Sequence, residues 1–498
     1  MKTIKINPTD NVAVSVDLIK AGSALEVDGV EITALSDIPP GHKIAIRDIS
    51  KDSEVIKYGY PIGQATDNIK FGEHVHTHNV TTLLEGQLEY TYQPIEMSEI
   101  AGNGIFDKAA HFMGYKRENG TVGIRNEIWV IPTNGCVNST VMNIAKNAEK
   151  LLKGNIDGVY AFPHPYGCSQ YGDDHERTKR TLCSIARHPN AGGVLIVGLG
   201  CENNHIQGMR EMLSDVDESR IKFLNTQDVN DEFEEADTLM KEIIDIVAHD
   251  KRESVPMSEL IVGLECGGSD GFSGITANPL LGVFTDRIIN EGGSVILTEV
   301  PEMFGAETIL MNRCINEEVF QKTVDLINNF KAYFINHNQP VYENPSYGNR
   351  LGGITTLEDK SLGCTQKAGS AKVVDVLAYS EILQNKGLNL LNAAGNDLVA
   401  STALAASGAH ILLFTTGRGT PYGAPIPTVK ISSNTELYKK KPGWIDFDAG
   451  ALLVGISMNE LSDEFYNYIV KVLNGEVLTK TEINNARDLT IFKTGVTA

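Results

Sequence analysis

The chain has 498 residues, 42% of them apolar and 21% charged, the proportions of an ordinary globular protein of about three domains. Its net charge of −21 disfavours nucleic acid, whose phosphates attract a basic surface, and it disfavours anionic membrane surfaces. It does not exclude a small anionic substrate, because a local group of cations can override the global field.

The opening stretch MKTIKINPTDNVAVSVDL has no long apolar run, so no signal peptide is expected, and nowhere do about 18 apolar residues follow one another. Seven cysteines, an odd count without an export signal, point to reduced thiols and a cytoplasmic location. Residues 1–97 carry short β-like runs (TIKI, NVAVSV, ALEV, KIAIRDI, LEYTYQP) separated by Gly, Pro, Asp and Asn, which predicts a small all-β domain. A linker is expected at 98–110. From 111 the pattern becomes α/β. Strands are predicted at 127–133, 158–164, 192–200 and 221–227, with helices at 139–154, 173–188 and 231–249. The charged stretch HDKRESVPMSE (249–259) reads as the next boundary, so the second domain spans 111–250. A further α/β domain, 251–498, follows, with strands in LIVGLECGG, SVILTEV, NLLNAAG and HILLFTTGRG. Both α/β domains should have mainly parallel sheets. No strong repeat is evident.

Four cysteines follow apolar strands, usually through a glycine: Cys136 in IWVIPTNGC, Cys168 in VYAFPHPYGC, Cys201 in VLIVGLGC and Cys266 in LIVGLEC. Ligands of open parallel sheets bind beyond the carboxyl ends of the strands, so these thiols are expected to converge on one site. An unpaired cysteine is often only a buried filler, which is the reading for Cys183 and Cys314. Thiolates in the shared register suit iron, zinc or an iron–sulfur cluster. In GEHVHTHNV, His74, His76 and His78 fall on one face if the stretch is a strand, with Asn79 beside them. A solvated histidine ladder is the plainer reading; sharing a metal or a substrate is the functional one. Polar, glycine-rich loops recur at strand ends: HPYGCSQYGDDH, GLGCENN, ECGGSDGFSG, TEVPEMFGAE, LEDKSLGCTQKAG and TTGRGTPYG. They predict a large polar active site. No GxxxxGK[ST] occurs, and GLGCEN lacks the third glycine of a dinucleotide fingerprint.

These blocks, in this order and over essentially the whole chain, resemble the altronate/galactarate dehydratase family. GHKIAIRDI, VIKYGYPIG and KSLGCTQKAG look like its altronate branch. The resemblance implies a SAF-type N-terminal β domain ahead of two α/β domains. It implies loss of water from D-altronate to give 2-dehydro-3-deoxy-D-gluconate in hexuronate breakdown, and dependence on ferrous iron, with Mn2+ as the candidate replacement. Abstracting the proton on C2 of a sugar acid requires a base, an acid for the C3 hydroxyl, cations for the carboxylate and a metal to offset the developing charge. On residue chemistry, His76, His78, Lys360 and Lys367 are the catalytic candidates. Arg125, Asn126, Arg418 and Asn79 are the substrate-binding candidates. His74, His76, His78, Cys168, Cys201, Glu202 and Cys266 are the metal-ligand candidates. The alternatives are a galactarate or related sugar-acid dehydratase, an iron–sulfur dehydratase and a non-catalytic sugar-acid-binding protein. A small sugar acid is the expected partner, with neither nucleic acid nor membrane. Assembly into a homo-oligomer stays open.

Overall fold

The computed structural model describes residues 2–95 and 110–498, so all of the expected linker except Ala110 lies outside the described residues. The N-terminal domain is all β, as most of the runs predict; LEYTYQP (88–94) forms no strand and instead lies along the third domain, Tyr90 donating to Glu307 and Tyr92 to the Cys314 carbonyl. The β domain also contains a duplication that was not evident in the sequence. In its first half the strands Val12–Ser15 and Lys43–Ala45 flank the hairpin Ala24–Val27/Val30–Thr33, closed by a bridge from Ile19 to Ile38. In the second half Lys43–Ala45 and His74–Val75 flank the hairpin Glu54–Lys57/Tyr60–Ala65, closed by a bridge from Ile49 to Ile69. The two hairpin turns are Asp28–Gly29 and Tyr58–Gly59, with all four residues at positive φ, the geometry of a tight two-residue hairpin. Backbone shape is repeated while residue identity drifts, so the duplication is hard to see in the letters.

The second domain has four parallel strands in the order Gly158–Ala161, Glu127–Pro132, Ala191–Gly198, Ile221–Asn225. Alternate residues serve opposite faces. Ile128, Val130, Leu195 and Val197 pack under the helices Asn138–Ala148 and Glu232–Val247. Trp129, Ile131, Val194 and Ile196 join a core shared with Leu404, Leu412 and Phe414 of the third domain. The segment expected as a boundary forms the strand Arg252–Pro256, paired antiparallel with His111–Lys116. Its alternation is masked by charged residues on the solvent side.

The third domain is a sheet of seven parallel strands, ordered Val373–Leu377, Leu388–Leu391, Ser294–Leu297, Ile261–Cys266, Ile411–Thr416, Thr428–Ser432, Phe447–Asp448. The chain starts at Ile261–Cys266, adds three strands on one side, the last of them slipped in between the other two, then returns to lay Ile411–Thr416 on the other. The β domain docks here. Lys43 and Lys57 both pair with Asp359, at 2.8 and 2.9 Å, with all three side chains buried. Around them Val12, Ala45, Val55 and Ile62 share an apolar core with Ala306 and Leu362. No helix among the described residues is long and apolar enough to cross a membrane.

Candidate active site

The reversal of strand order beside Ile261–Cys266 is where a doubly wound sheet opens a crevice beyond its carboxyl ends. A cleft of about 580 Å³ lies there, lined among others by Cys266, Glu302, Asn344, Arg350, Lys360 and Asp397. Three strand ends meet here: Cys266 and Asp397 follow one strand each, and Glu302, Asn344, Arg350 and Lys360 all come from the long segment after Ser294–Leu297. Cys266 ends its own strand. Glu299 and Glu302 follow Ser294–Leu297, in and just before the short turn Val300–Met303. Asp397 opens the helix Asp397–Ala406 after strand Leu388–Leu391, its helix capped by Asn396. Lys360 and Cys364, four residues apart, share one face of the helix Leu357–Cys364, which Thr356 caps.

The cluster is dense and buried. The Cys266 and Cys364 thiols lie 3.4 Å apart and donate to Glu302 Oε2 at 3.1 and 3.0 Å. Lys360 Nζ reaches Glu302 Oε1 at 2.5 Å, and Lys367 Nζ reaches Glu299 Oε2 at 3.2 Å. Glu299 Oε2 also accepts from the Cys266 amide at 2.9 Å. Glu299 holds φ of 66°, a left-handed conformation that a non-glycine residue adopts at a cost and that clusters at functional sites. Both carboxylate oxygens of Glu265 and Oε1 of Glu299 are buried without a hydrogen-bond partner.

These surroundings sort the titratable groups. Burial together with Glu302 pushes Glu299 up to about 7 and Asp397 up to about 6. Burial and Glu299 push Glu265 well above the usual carboxylate range. Glu302 goes the other way: Lys360 and Lys367 overcome burial and hold it below its ordinary value. Burial alone would lower the lysines, but Glu302, Cys266 and Cys364 outweigh it at Lys360, and Cys266 and Glu299 do so at Lys367, so both are raised. A lysine acting as a base requires a lowered pKa, so the catalytic candidates Lys360 and Lys367 are not placed to act as bases: both stay ammonium ions.

A second group of side chains abuts the cleft through the segment 350–359. His42 Nδ1 lies 3.0 Å from His74 Nε2, and His42 Nε2 lies 3.2 Å from the Leu351 carbonyl. His76 Nδ1 lies 3.1 Å from Thr355 Oγ1. The His74 ring lies 5.7 Å from that of His76 and 5.3 Å from that of His78. Burial, helped at His74 by His42 and at His76 by Lys43, pushes both rings down to about 3, so they are neutral at pH 7.

Three family models cover the chain: the altronate/galactarate dehydratase SAF domain over residues 1–83, the D-galactarate dehydratase/altronate hydrolase second domain over 114–248, and the D-galactarate/altronate dehydratase C-terminal domain over 257–497. The chain is 55% identical to an altronate dehydratase of Bacillus subtilis over 99% of both chains, and 52% identical to an altronate dehydratase of Escherichia coli over the whole of both. The chain belongs to the altronate/galactarate dehydratase family. A galactarate dehydratase (L-threo-forming) of Escherichia coli is 32% identical over 96% of this chain and 93% of its own.

For a sugar-acid dehydratase of this family, the cleft in the third domain carries the acid–base inventory, and the residues expected at one site divide among several places. The three histidines do come together, but the strand ends at Val75 and a turn follows, so a single β face does not align them. Asn79 shapes that turn: its side chain accepts from the His76 amide at 3.0 Å and donates to the His74 carbonyl at 2.9 Å, which makes it a positioning residue rather than a substrate ligand. Arg418 does not line this cleft: its amide is bonded to the Gly268 carbonyl, and it lines a separate pocket with Asp270, Phe272 and Glu436. Lys367 is buried behind the cleft wall.

Arg125 and Asn126 are not substrate-binding residues. Arg125 is 1% exposed and forks onto Glu482 at 2.7 and 3.1 Å, while donating to the Ile124 and Val472 carbonyls. Asn126 is fully buried between Arg117 and the Asn155 and Val247 carbonyls. Both tie strand ends to neighbouring segments. The single seven-residue metal site does not form either. Cys266 reaches the cleft, the histidines make their own group, and Cys168, Cys201 and Glu202 lie at the end of the second domain's sheet. Equivalent strand-end positions in two different sheets cannot meet merely because their sequence contexts match.

Sequence reasoning missed His42, Arg350 and Asp397 as site residues. His42 precedes the strand that pairs with His74–Val75, a partner 32 residues away that no local pattern marks. Asp397 is an acid in the first turn of a helix, a position where carboxylates are common for reasons unrelated to chemistry. Arg350 sits in the short helix Tyr347–Leu351. Glu299, Glu302 and Cys364 stood in blocks already noted as polar, but nothing in the letters ranked them above their neighbours.

Proposed function

We propose that this chain removes water from D-altronate to give 2-dehydro-3-deoxy-D-gluconate, a step of hexuronate breakdown, with ferrous iron as its metal. The observation that carries this is the buried cluster of thiols, carboxyls and ammonium ions forming one wall of an open cleft. The altronate assignment is supported by full-length identities of 55% and 52% to altronate dehydratases, against 32% for the galactarate enzyme.

The proton on C2 is weakly acidic because the adjacent carboxylate is already negative. Arg350 is exposed at the cleft and its guanidinium group makes no ion pair with described residues, so it is free to hold that carboxylate. Asp397 faces the cleft with its carboxyl near neutrality, the condition for an effective general base, and takes the C2 proton. Lys360, kept protonated, donates to the C3 hydroxyl as it departs. The resulting enol becomes the keto product without further help.

Cys266, Glu302 and Cys364 would hold the iron. Their donor atoms all lie within 4.8 Å of one another, and thiolate with carboxylate is a donor set that ferrous iron accepts. Lys360 and Lys367 stand beside them to offset the thiolate charge. When bound, the ion supplies a Lewis acid against the negative charge that builds up on the deprotonated acid.

Protein purified anaerobically and stripped by a chelator is expected to give no 2-keto-3-deoxy acid from D-altronate, and to regain turnover with Fe2+ and partly with Mn2+. Turnover that ignores metal removal, or a preference for galactarate, would sink the reading. Arg350→Ala is expected to raise KM for D-altronate by roughly 10- to 100-fold, the equivalent of one lost charged hydrogen bond, with a smaller change in kcat. Steady-state kinetics of the variant check this.

A further inference from the structure

We propose that the carboxyl end of the second domain's sheet is an iron–sulfur site, with Cys136, Cys168 and Cys201 holding a [4Fe–4S] cluster whose remaining iron is open to a small oxygen ligand. This site is separate from the cleft in the third domain and does not depend on which sugar acid that cleft accepts.

Free cysteine is among the most buried residue types. Here Cys183, Cys266, Cys314 and Cys364 obey that rule, and Cys136, Cys168 and Cys201 break it together: all three are exposed. They follow the three adjacent strands Glu127–Pro132, Gly158–Ala161 and Ala191–Gly198. The first of these is central, the chain goes next to one side and then crosses to the other, so the thiols stand at the switch point where such sheets bind ligands.

The three loops are bonded to one another in a closed triangle. The Gly135 amide donates to the Tyr166 carbonyl at 3.0 Å, joining the first loop to the second. The Asn204 amide donates to the Gly167 carbonyl at 3.0 Å, and the Ser169 amide to Asn203 Oδ1 at 2.9 Å, joining the second to the third. Asn204 Nδ2 donates to the Thr133 carbonyl at 2.9 Å, and Thr133 Oγ1 donates to Glu202, joining the third to the first. Glu202 is buried, and hydrogen bonds from Thr133 and from the Gly200 and Leu199 amides outweigh that burial and keep its carboxyl low.

Each thiol is preceded by a glycine that the geometry requires. A Cβ on Gly135 would sit 3.0 Å from the His164 carbonyl oxygen, and one on Gly167 would collide with the Thr133 carbonyl. Gly167 and Gly200 also hold φ of 92° and 125°. The Gly-Cys step thus recurs three times because each loop must turn tightly against the next and leave its thiol outward. Asn204 Oδ1, buried in the third loop, has no donor.

The donor set selects the ligand. Among the described residues, the groups whose donor atoms all come within 4.8 Å do not include these three thiols, so they stand too far apart to converge on one ion. A cluster spreads its cysteine ligands over several irons, and iron–sulfur clusters are held by cysteine thiolates. Three ligands leave one iron without a protein donor.

The test uses the full chain purified without oxygen. Expected are a brown colour, about four irons and four acid-labile sulfides per chain at this site, and a cluster signal in electron paramagnetic resonance after reduction. Cys136→Ser, Cys168→Ser and Cys201→Ser should each lose the sulfide and the colour. Cys183→Ser, in the helix Gly172–Ala186, should keep both, and Cys266→Ser should keep the sulfide while losing the separate iron. Unchanged melting temperatures show that the thiol variants remain folded. Protein without sulfide, even after anaerobic incubation with Fe2+ and sulfide, would overturn the proposal, as would zinc at the site or sulfide retained in all three variants.

Discussion

Asp397→Asn is expected to lower kcat for D-altronate dehydration by roughly 100- to 10,000-fold, the contribution of a positioned general base, with KM little changed. The amide is nearly isosteric and Asn396 still caps the helix, so the melting temperature should stay the same. In the parent enzyme burial and Glu302 push the Asp397 carboxyl up to about 6. The base is the ionised form, so the rate is present above that pH and falls as pH drops through it. The variant should lose this acid limb from its residual pH profile. A variant with full activity would move the base to Glu299, held up at about 7 in the same cluster.

Asp359→Asn is expected to cost about 3–5 kcal/mol of stability, because it leaves two buried ammonium groups without a counter-charge. Lys43 and Lys57 approach Asp359 at 2.8 and 2.9 Å, and the three side chains are at most 2% exposed. Thermal unfolding measures the loss, and limited proteolysis should show the β domain released first, since this triplet and the apolar contacts to Ala306 and Leu362 hold it to the third domain. The pH dependence has a definite sign. Lys43 and Lys57 outweigh burial and hold the folded Asp359 well below its ordinary value, so its stabilisation is complete above the unfolded pKa of about 3.9 and is lost as pH falls through the depressed folded value. The variant's stability should therefore change less in acid than the parent's. A melting temperature equal to the parent's would show that the triplet does not anchor the domain.

The same triplet bears on motion. A β domain swinging on a linker would have to expose both lysines and Asp359 to water or leave them unpaired. The imidazole group of His42, His74 and His76 is fastened to the same segment, at Leu351 and Thr355. These contacts tie the histidine motif to the segment that lines the cleft.

Local pattern carried much of the architecture. The strand at Glu127–Pro132 was legible because an apolar run ends in turn residues, and the helix at Glu232–Val247 because apolar residues recur at its period while Asp231 caps it. The all-β start, the parallel α/β remainder and the family were all readable, since propensity, period and motif order are written in neighbouring residues. The strand-end position of the cysteines was readable too.

Partnership between distant segments was not readable. Whether a strand-end thiol meets others depends on which sheet its strand joins: Cys266 joins Glu302 and Cys364, while Cys136, Cys168 and Cys201 belong to the other sheet. Whether an arginine binds substrate or struts the fold depends on burial. Arg125 spends its donors on Glu482 and two carbonyls, and Arg350 keeps its own free. Whether a buried lysine is a base or an acid depends on the charges that surround it, and at Lys360 those come from three separate segments. The sequence by itself determined the elements, the family and the residue types available for chemistry. Only the tertiary structure decided which of them share a site and in which protonation state, because desolvation and Coulomb energy fall off over a few ångströms in space and take no account of distance along the chain.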